Sequence, residues 1–240
     1  DAVFFLALDL DDGPHGQRGE ARVHLASAVR REWIEEDLAQ FIAERVETSF
    51  DPEGEKVRAT RTLCYRDLPL EEPRDHKPPP MLAEKLLASA VRDKAEAITG
   101  ANLGAVSWLA RVRSLAVWMP ELELPRFDAA ELGDILAGAC AGKTSLAEVR
   151  EADLLGLLKS SLPHSKLRAV EEHAPEALRV PSGNNIRLSY EPPRPPVLAV
   201  RLQEMFGLAE TPTVAAGRVP VLLHLLGPNF RPVQITQDLR

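Results

Sequence analysis

Residues 186–200 read IRLSYEPPRPPVLAV and residues 219–226 read VPVLLHLL. In the first stretch Ile186, Leu188 and Tyr190 alternate with Arg187 and Ser189, the two-residue period of a strand with one apolar and one polar face. The turn residues Pro181-Ser-Gly-Asn-Asn185 precede it, and Pro192-Pro-Arg-Pro-Pro196 separates it from a second strand at 197–200. A short helical turn through Met205 and Phe206 follows, and strands at 219–226 and 233–236 complete a C-terminal β-rich unit over 177–240.

Moving towards the N-terminus, the period changes from two to about 3.6. Leu82, Leu86, Ala90 and Val91 form one helical face behind Pro80, and Asn102 caps a second helix carrying Leu103, Val106, Ala110 and Val112. Asp128 with Glu131, and Ser145 with Glu148, have the spacing of capping boxes that open two more helices. A fifth is expected over 162–173, so residues 80–176 read as a small helical bundle. Residues 69–79, rich in proline and charge, read as a linker. Ahead of them, residues 1–68 read as a β-rich unit. Strands are expected at 2–10, 20–26 and 56–66, with turns at Asp11-Asp-Gly-Pro-His-Gly16 and Asp51-Pro-Glu-Gly54. One amphipathic helix is expected through Ile34, Leu38, Phe41 and Ile42. The fold class is α+β: two β-rich units flanking a small helical bundle. The two β-rich units could close on one another as an OB-like barrel.

Composition excludes several classes of function. With 45% hydrophobic and 27% charged residues the chain is ordinary globular material. No apolar run approaches the roughly 18 residues of a membrane span, so no membrane partner is expected. Two cysteines, Cys64 and Cys140, are too few for a disulfide framework, and a cytoplasmic location is the expectation. The six histidines are scattered without ligand spacing, so no metal site is expected. No nucleophile elbow or acid–base pair stands out, and no catalytic residue is assigned.

The net charge of −7 is unevenly placed. Residues 180–240 carry six basic and four acidic side chains, and every one of those bases is arginine, the forked donor suited to phosphate. Arg187, Arg194, Arg201, Arg218 and Gln203 are therefore the candidate nucleic-acid-binding residues. One segment imitates phosphate chemistry: Ala137-Gly-Ala-Cys-Ala-Gly142-Lys143-Thr144 fits a relaxed Walker A pattern. A P-loop must follow a buried strand, however, and here the preceding spacing is helical. Ser145-Leu-Ala-Glu148 is expected to cap a helix, and no nucleotide cofactor is assigned to this stretch.

Four blocks carry a family resemblance. They are Arg201-Leu-Gln-Glu-Met-Phe-Gly207, Thr211-Pro212, Gly217-Arg-Val-Pro-Val-Leu-Leu-His-Leu-Leu226 and Arg231-Pro-Val-Gln-Ile-Thr-Gln-Asp-Leu239. Together they resemble the C-terminal region of the bacterial HrpB family of ATP-dependent, DEAH/DExH-type RNA helicases. Shorter matches at Glu20-Ala-Arg-Val-His-Leu-Ala26, Ala110-Arg-Val112, Thr144-Ser-Leu146 and Val180-Pro-Ser-Gly183 extend the resemblance along most of the chain. The resemblance implies that this chain is a piece of a longer protein whose motor domains bind ATP and Mg²⁺ elsewhere. It implies a non-catalytic accessory region that contributes RNA binding or regulates the motor. The partners would be RNA or single-stranded nucleic acid and the helicase core of the same parent chain. A module that docks a protein through the proline-rich segment or the acidic helices is the alternative expectation.

Overall fold

The computed structural model describes residues 4–11, 22–208, 210–227, 229 and 231–237. Contacts divide the chain into two compact units, Asp1–Leu86 and Leu87–Arg240.

The first unit is built on two hairpins. Strands β1 (Phe4–Asp11) and β2 (Arg22–Val29) pair antiparallel, with register shifts around Asp9. The expected connecting turn lies outside the described residues. A short helix α1 (Arg31–Asp37) follows and buries Ile34. The helix expected to reach Ile42 ends early, because Ile42 already opens β3 (Ile42–Asp51). β3 pairs residue for residue with β4 (Lys56–Tyr65) across the Asp51 turn. Asp51 Oδ1 accepts from the backbone N–H groups of Glu53 and Gly54, both at 3.1 Å, which closes that turn. The stretch expected as a linker is partly strand. β5 (Leu68–Pro69) and β6 (Arg74–His76) both add to β4.

The second unit begins inside α2 (Pro80–Asp93), which is followed by α3 (Ala95–Gly100), α4 (Leu103–Trp118) and α5 (Ala129–Ala137). Three short helices complete the helical layer, α6 (Leu146–Arg150), α7 (Leu154–Ser160) and α8 (His164–His173). Asn102 caps α4 by accepting from the Ala105 N–H, and both expected capping boxes form at Asp128 and Ser145. The apolar stripes of these helices meet in one core, with Leu87, Ile98, Leu115, Leu136, Leu146 and Leu158 fully enclosed.

The same unit contains a five-stranded sheet, ordered β13-β12-β9-β8-β7. Its members are β7 (Ala177–Arg179), β8 (Asn185–Ser189), β9 (Val197–Arg201), β12 (Leu222–Leu226) and β13 (Pro232–Thr236). β12 lies parallel to β9, while the other pairs are antiparallel. The strand expected over 219–226 is split in two. Pro220 supplies no N–H, so β11 (Val219–Pro220) pairs with β10 (Thr213–Val214) as a separate ribbon before β12 joins the sheet. The OB-like barrel is a correction. Each described sheet is open and is drawn from one end of the chain. Among the described residues no helix is long and apolar enough to cross a membrane.

Helices and C-terminal sheet are joined at residues 173–176, where four successive carbonyls each accept a hydrogen bond from a different neighbour. His173 O accepts from Ala215 N at 2.8 Å and Ala174 O from Arg111 Nε at 2.6 Å. Pro175 O accepts from the Tyr190 hydroxyl at 2.6 Å and Glu176 O from Leu188 N at 2.9 Å. Burial pushes the Tyr190 phenol well above its ordinary range, so it stays a donor.

Candidate nucleic-acid interface

Strand alternation decides which side chains of the C-terminal sheet meet solvent. Leu188, Tyr190, Leu198, Val200, Leu223 and Leu225 are buried on one face. The residues between them therefore point the other way. On β8 these are Arg187 and Ser189; on β9, Val197, Ala199 and Arg201; on β12, Leu222, His224 and Leu226. The register sets His224 beside Ala199 on one side and Ile235 on the other, and Leu226 beside Arg201. None of these outward positions is acidic, although the chain as a whole is. The face combines arginine at Arg187 and Arg201 with the exposed apolar side chains of Val233 and Ile235, which are 72% and 56% exposed.

The five candidate residues are thus sorted by position. Arg187 and Arg201 share the outward face. Arg187 is 85% exposed, and its Nη2 lies 3.2 Å from the Glu176 carboxylate. Gln203 sits exposed in the 3₁₀ turn Leu202–Met205 directly after β9. Arg194 lies in the β8–β9 connection, with Nη1 3.5 Å from Glu191. Arg218 belongs to the β10–β11 turn and faces the helical layer. There its Nη2 is 2.6 Å from Glu121, and its Nη1 donates to Trp118 O at 3.4 Å. The hydrogen bond from Arg218 to Glu121 holds that carboxyl below its ordinary value. Arg218 is thus about half exposed, with less of its guanidinium open to a ligand than Arg187 has. His224 adds a polar group to the face, at a position that strand alternation alone assigns.

The Walker-like segment is organised as a pair of helix ends. Helix α5 precedes it, and Lys143 Nζ donates to Ala139 O at 2.7 Å, capping the C-terminal turn that follows α5. Gly142 turns the chain with φ of +72°, a conformation that glycine adopts without steric cost. The backbone N–H groups of Thr144 and Ser145 both donate to Glu148 Oε2 at 2.9 Å, and the Glu148 N–H donates back to Ser145 Oγ at 3.3 Å. The Thr144 N–H, with the Ser145 hydroxyl next, holds the Glu148 carboxyl below its ordinary value of 4.5. The groups a P-loop would aim at phosphate are committed to capping helices.

Losing this cap has a defined cost. Ser145→Ala is expected to destabilise the chain by about 1 kcal/mol at neutral pH. Because the folded value of Glu148 is depressed, the carboxylate's contribution is complete above 4.5 and is lost as pH falls through the lower folded value. The gap between wild type and variant should therefore narrow towards pH 3 in urea melts. An equal gap at pH 7 and pH 3 would assign the effect to the hydroxyl alone.

Among the described residues, no three His, Cys, Asp or Glu side chains gather where they could hold a metal ion. Comparison with known proteins then places the chain. The family described as ATP-dependent helicase C-terminal, HrpB_C, matches residues 135–240. The ATP-dependent RNA helicase HrpB of Escherichia coli strain K12 is 31% identical over 224 residues, which is 92% of this chain and 28% of that protein. A crystal structure of the E. coli DExH-box NTPase HrpB superposes with a TM-score of 0.66 at 30% identity, over 98% of this chain and 29% of that one. A crystal structure of the Escherichia coli DEAH/RHA helicase HrpB gives 0.63 at 31% identity, over 83% and 26%. The chain spans less than a third of the length of these relatives. Residues 135–240 thus match the HrpB C-terminal family, and by sequence and by fold the chain as a whole is similar to part of HrpB.

Proposed function

We propose that this region is a non-catalytic accessory part of an ATP-dependent RNA helicase, and that it contributes a weak single-stranded RNA contact beside the motor. The observation that carries the reading is the outward sheet face. Arg187 and Arg201 lie there together among outward positions of β8, β9 and β12 that carry no Asp or Glu, in a chain of net charge −7, and Arg187 stays 85% exposed although Glu176 reaches it. Forked guanidinium groups on a strand surface suit contacts to the sugar–phosphate backbone, which position a polynucleotide without reading its sequence. ATP and Mg²⁺ chemistry, on this reading, belongs to the remainder of the longer protein. The relatives named as helicases extend well beyond the matched part.

The test is a titration of labelled single-stranded RNA at two salt concentrations. Wild type should bind weakly and with steep salt dependence. Arg187→Ala and Arg201→Ala should each lower the salt slope by about 0.7, the single-strand value per neutralised phosphate. Arg218→Ala should change binding less, since its guanidinium is engaged by Glu121 and Trp118. If wild type binds no RNA at low salt, the exposed Val233 and Ile235 favour the second reading, a surface for a protein partner.

A further inference from the structure

Helix α4 and strand β8 border a groove that continues past Arg187. It has two chambers, of about 170 and about 300 Å³, which share Leu103, Ser107 and Arg187 as lining. Lys159 of α7, Trp108, Arg111 and Glu176 also line the first chamber, and Ser189 and Tyr190 help to line the second.

The polar groups of the first chamber are mostly donors. Ser107 offers a hydroxyl, Lys159 an ammonium and Arg187 a guanidinium. Arg111 is buried and already engaged by Ala174 O and by Glu171 at 2.6 Å, so it supplies positive field without a free hand. The opposing carboxylates are Glu176, which reaches Arg187, and Glu171, which lies 4.0 Å from Lys159. Three cations face two carboxylates, leaving a local excess of positive charge. Trp108 adds an independent sign. It is 2% exposed, forms part of the chamber wall, and its indole N–H has no hydrogen-bond partner among the described residues. A buried donor left unmatched costs free energy, and an anion in the adjoining chamber offers acceptors that could relieve it. At the rim Leu103 is 84% exposed and Val106 also faces solvent, an apolar ledge beside the cations.

We propose that this groove receives one backbone phosphate of a single-stranded polynucleotide, between Ser107, Lys159 and Arg187, with Trp108 responding from the wall. The neighbouring phosphates run past Arg187 onto the outward sheet face, because Arg187 belongs to both surfaces. A polymer fits better than a small anion, since the two chambers share Leu103, Ser107 and Arg187, and Arg187 leads on to the sheet face. This inference rests on the RNA reading above, and it adds residues of helices α4 and α7 that the arginine pattern of the sheet does not contain.

The 240-residue chain tests it. The indole N–H resonance of Trp108, assigned by comparison with Trp108→Phe, is followed while a single-stranded oligouridylate is added at low salt, with affinity measured in parallel by anisotropy. A second series uses inorganic phosphate alone. The resonance should move with the same midpoint as oligonucleotide binding. Lys159→Ala should weaken binding roughly tenfold at low salt, and Lys159→Arg should restore most of it. A stationary Trp108 resonance while the oligonucleotide binds, with Lys159→Ala binding as wild type does, removes the groove and leaves the sheet face standing. Absence of any oligonucleotide binding removes both. A resonance that moves with inorganic phosphate but not with the oligonucleotide makes the groove a small-anion pocket and overturns the proposal.

Discussion

Arg111→Leu is expected to lower the unfolding free energy by about 3 kcal/mol, because it strands a buried carbonyl. Arg111 is buried on α4, donating from Nε to Ala174 O and from Nη2 to Glu171 Oε2, both at 2.6 Å. Leucine keeps most of the aliphatic packing, so the loss isolates the two charge-assisted bonds. Glu171 is about half exposed and can be rehydrated, which keeps the cost below the upper end for a fully buried pair. Ala174 is fully enclosed, and its carbonyl has no such escape. Arg111→Lys should recover only part of the loss, since one ammonium cannot reproduce the fork that spans both acceptors. Urea denaturation followed by circular dichroism measures both variants. A leucine variant within 1 kcal/mol of wild type would falsify the placement of this guanidinium.

Leu198→Ala should cost slightly more, about 3–4 kcal/mol. Leu198 is 0% exposed on β9, the strand flanked by β8 and β12, and its register partners Leu188 and Leu223 are both buried. A sheet held by hydrogen bonds on both sides cannot move inward to fill the void, so the cavity term remains on top of the lost transfer energy. Ala199→Ser, one residue along on the outward face, should change stability by less than about 0.5 kcal/mol. The contrast is the informative measurement. Equal losses at the two positions would mean that the inward and outward faces of β9 have been assigned the wrong way round.

Local chemistry made much of the C-terminal unit legible. Ile186, Leu188 and Tyr190 alternate with polar residues because one face of β8 is buried and the other is wet. The Asp128 and Ser145 caps were readable because each uses partners three residues apart. Short-range rules failed where pairing came from a distance. β3 carries Glu44, Arg45 and Glu47 and has no fully buried position, so its hydropathy does not alternate, and it is a strand because β4 pairs along its whole length. β6 lies in a proline-rich run and is recruited by Ala59, Thr60 and Arg61 of β4. The parallel alignment of β12 on β9 was equally invisible, since no local signal reports which strand lies alongside.

The candidate interface followed the same division. Arg187 and Arg201 could be placed on one face by counting residues along two strands. That Arg218 is engaged by Glu121, nearly a hundred residues earlier, could not. Lys159 and Ser107 gave no signal at all, because only the packing of α4 and α7 against β8 brings them beside Arg187.

The four occupied carbonyls between α8 and β7 have a mechanical consequence. A connection can act as a hinge only if its backbone is able to rotate without surrendering hydrogen bonds, and hinges are drawn from weakly held segments for that reason. Residues 173–176 are gripped in succession by Ala215, Arg111, Tyr190 and Leu188, so a small twist there would strain four bonds at once. A pull on the outward face of the sheet is thus handed to α4 and α8 with little slack. The helical layer and the sheet should therefore respond to load as one stiff body.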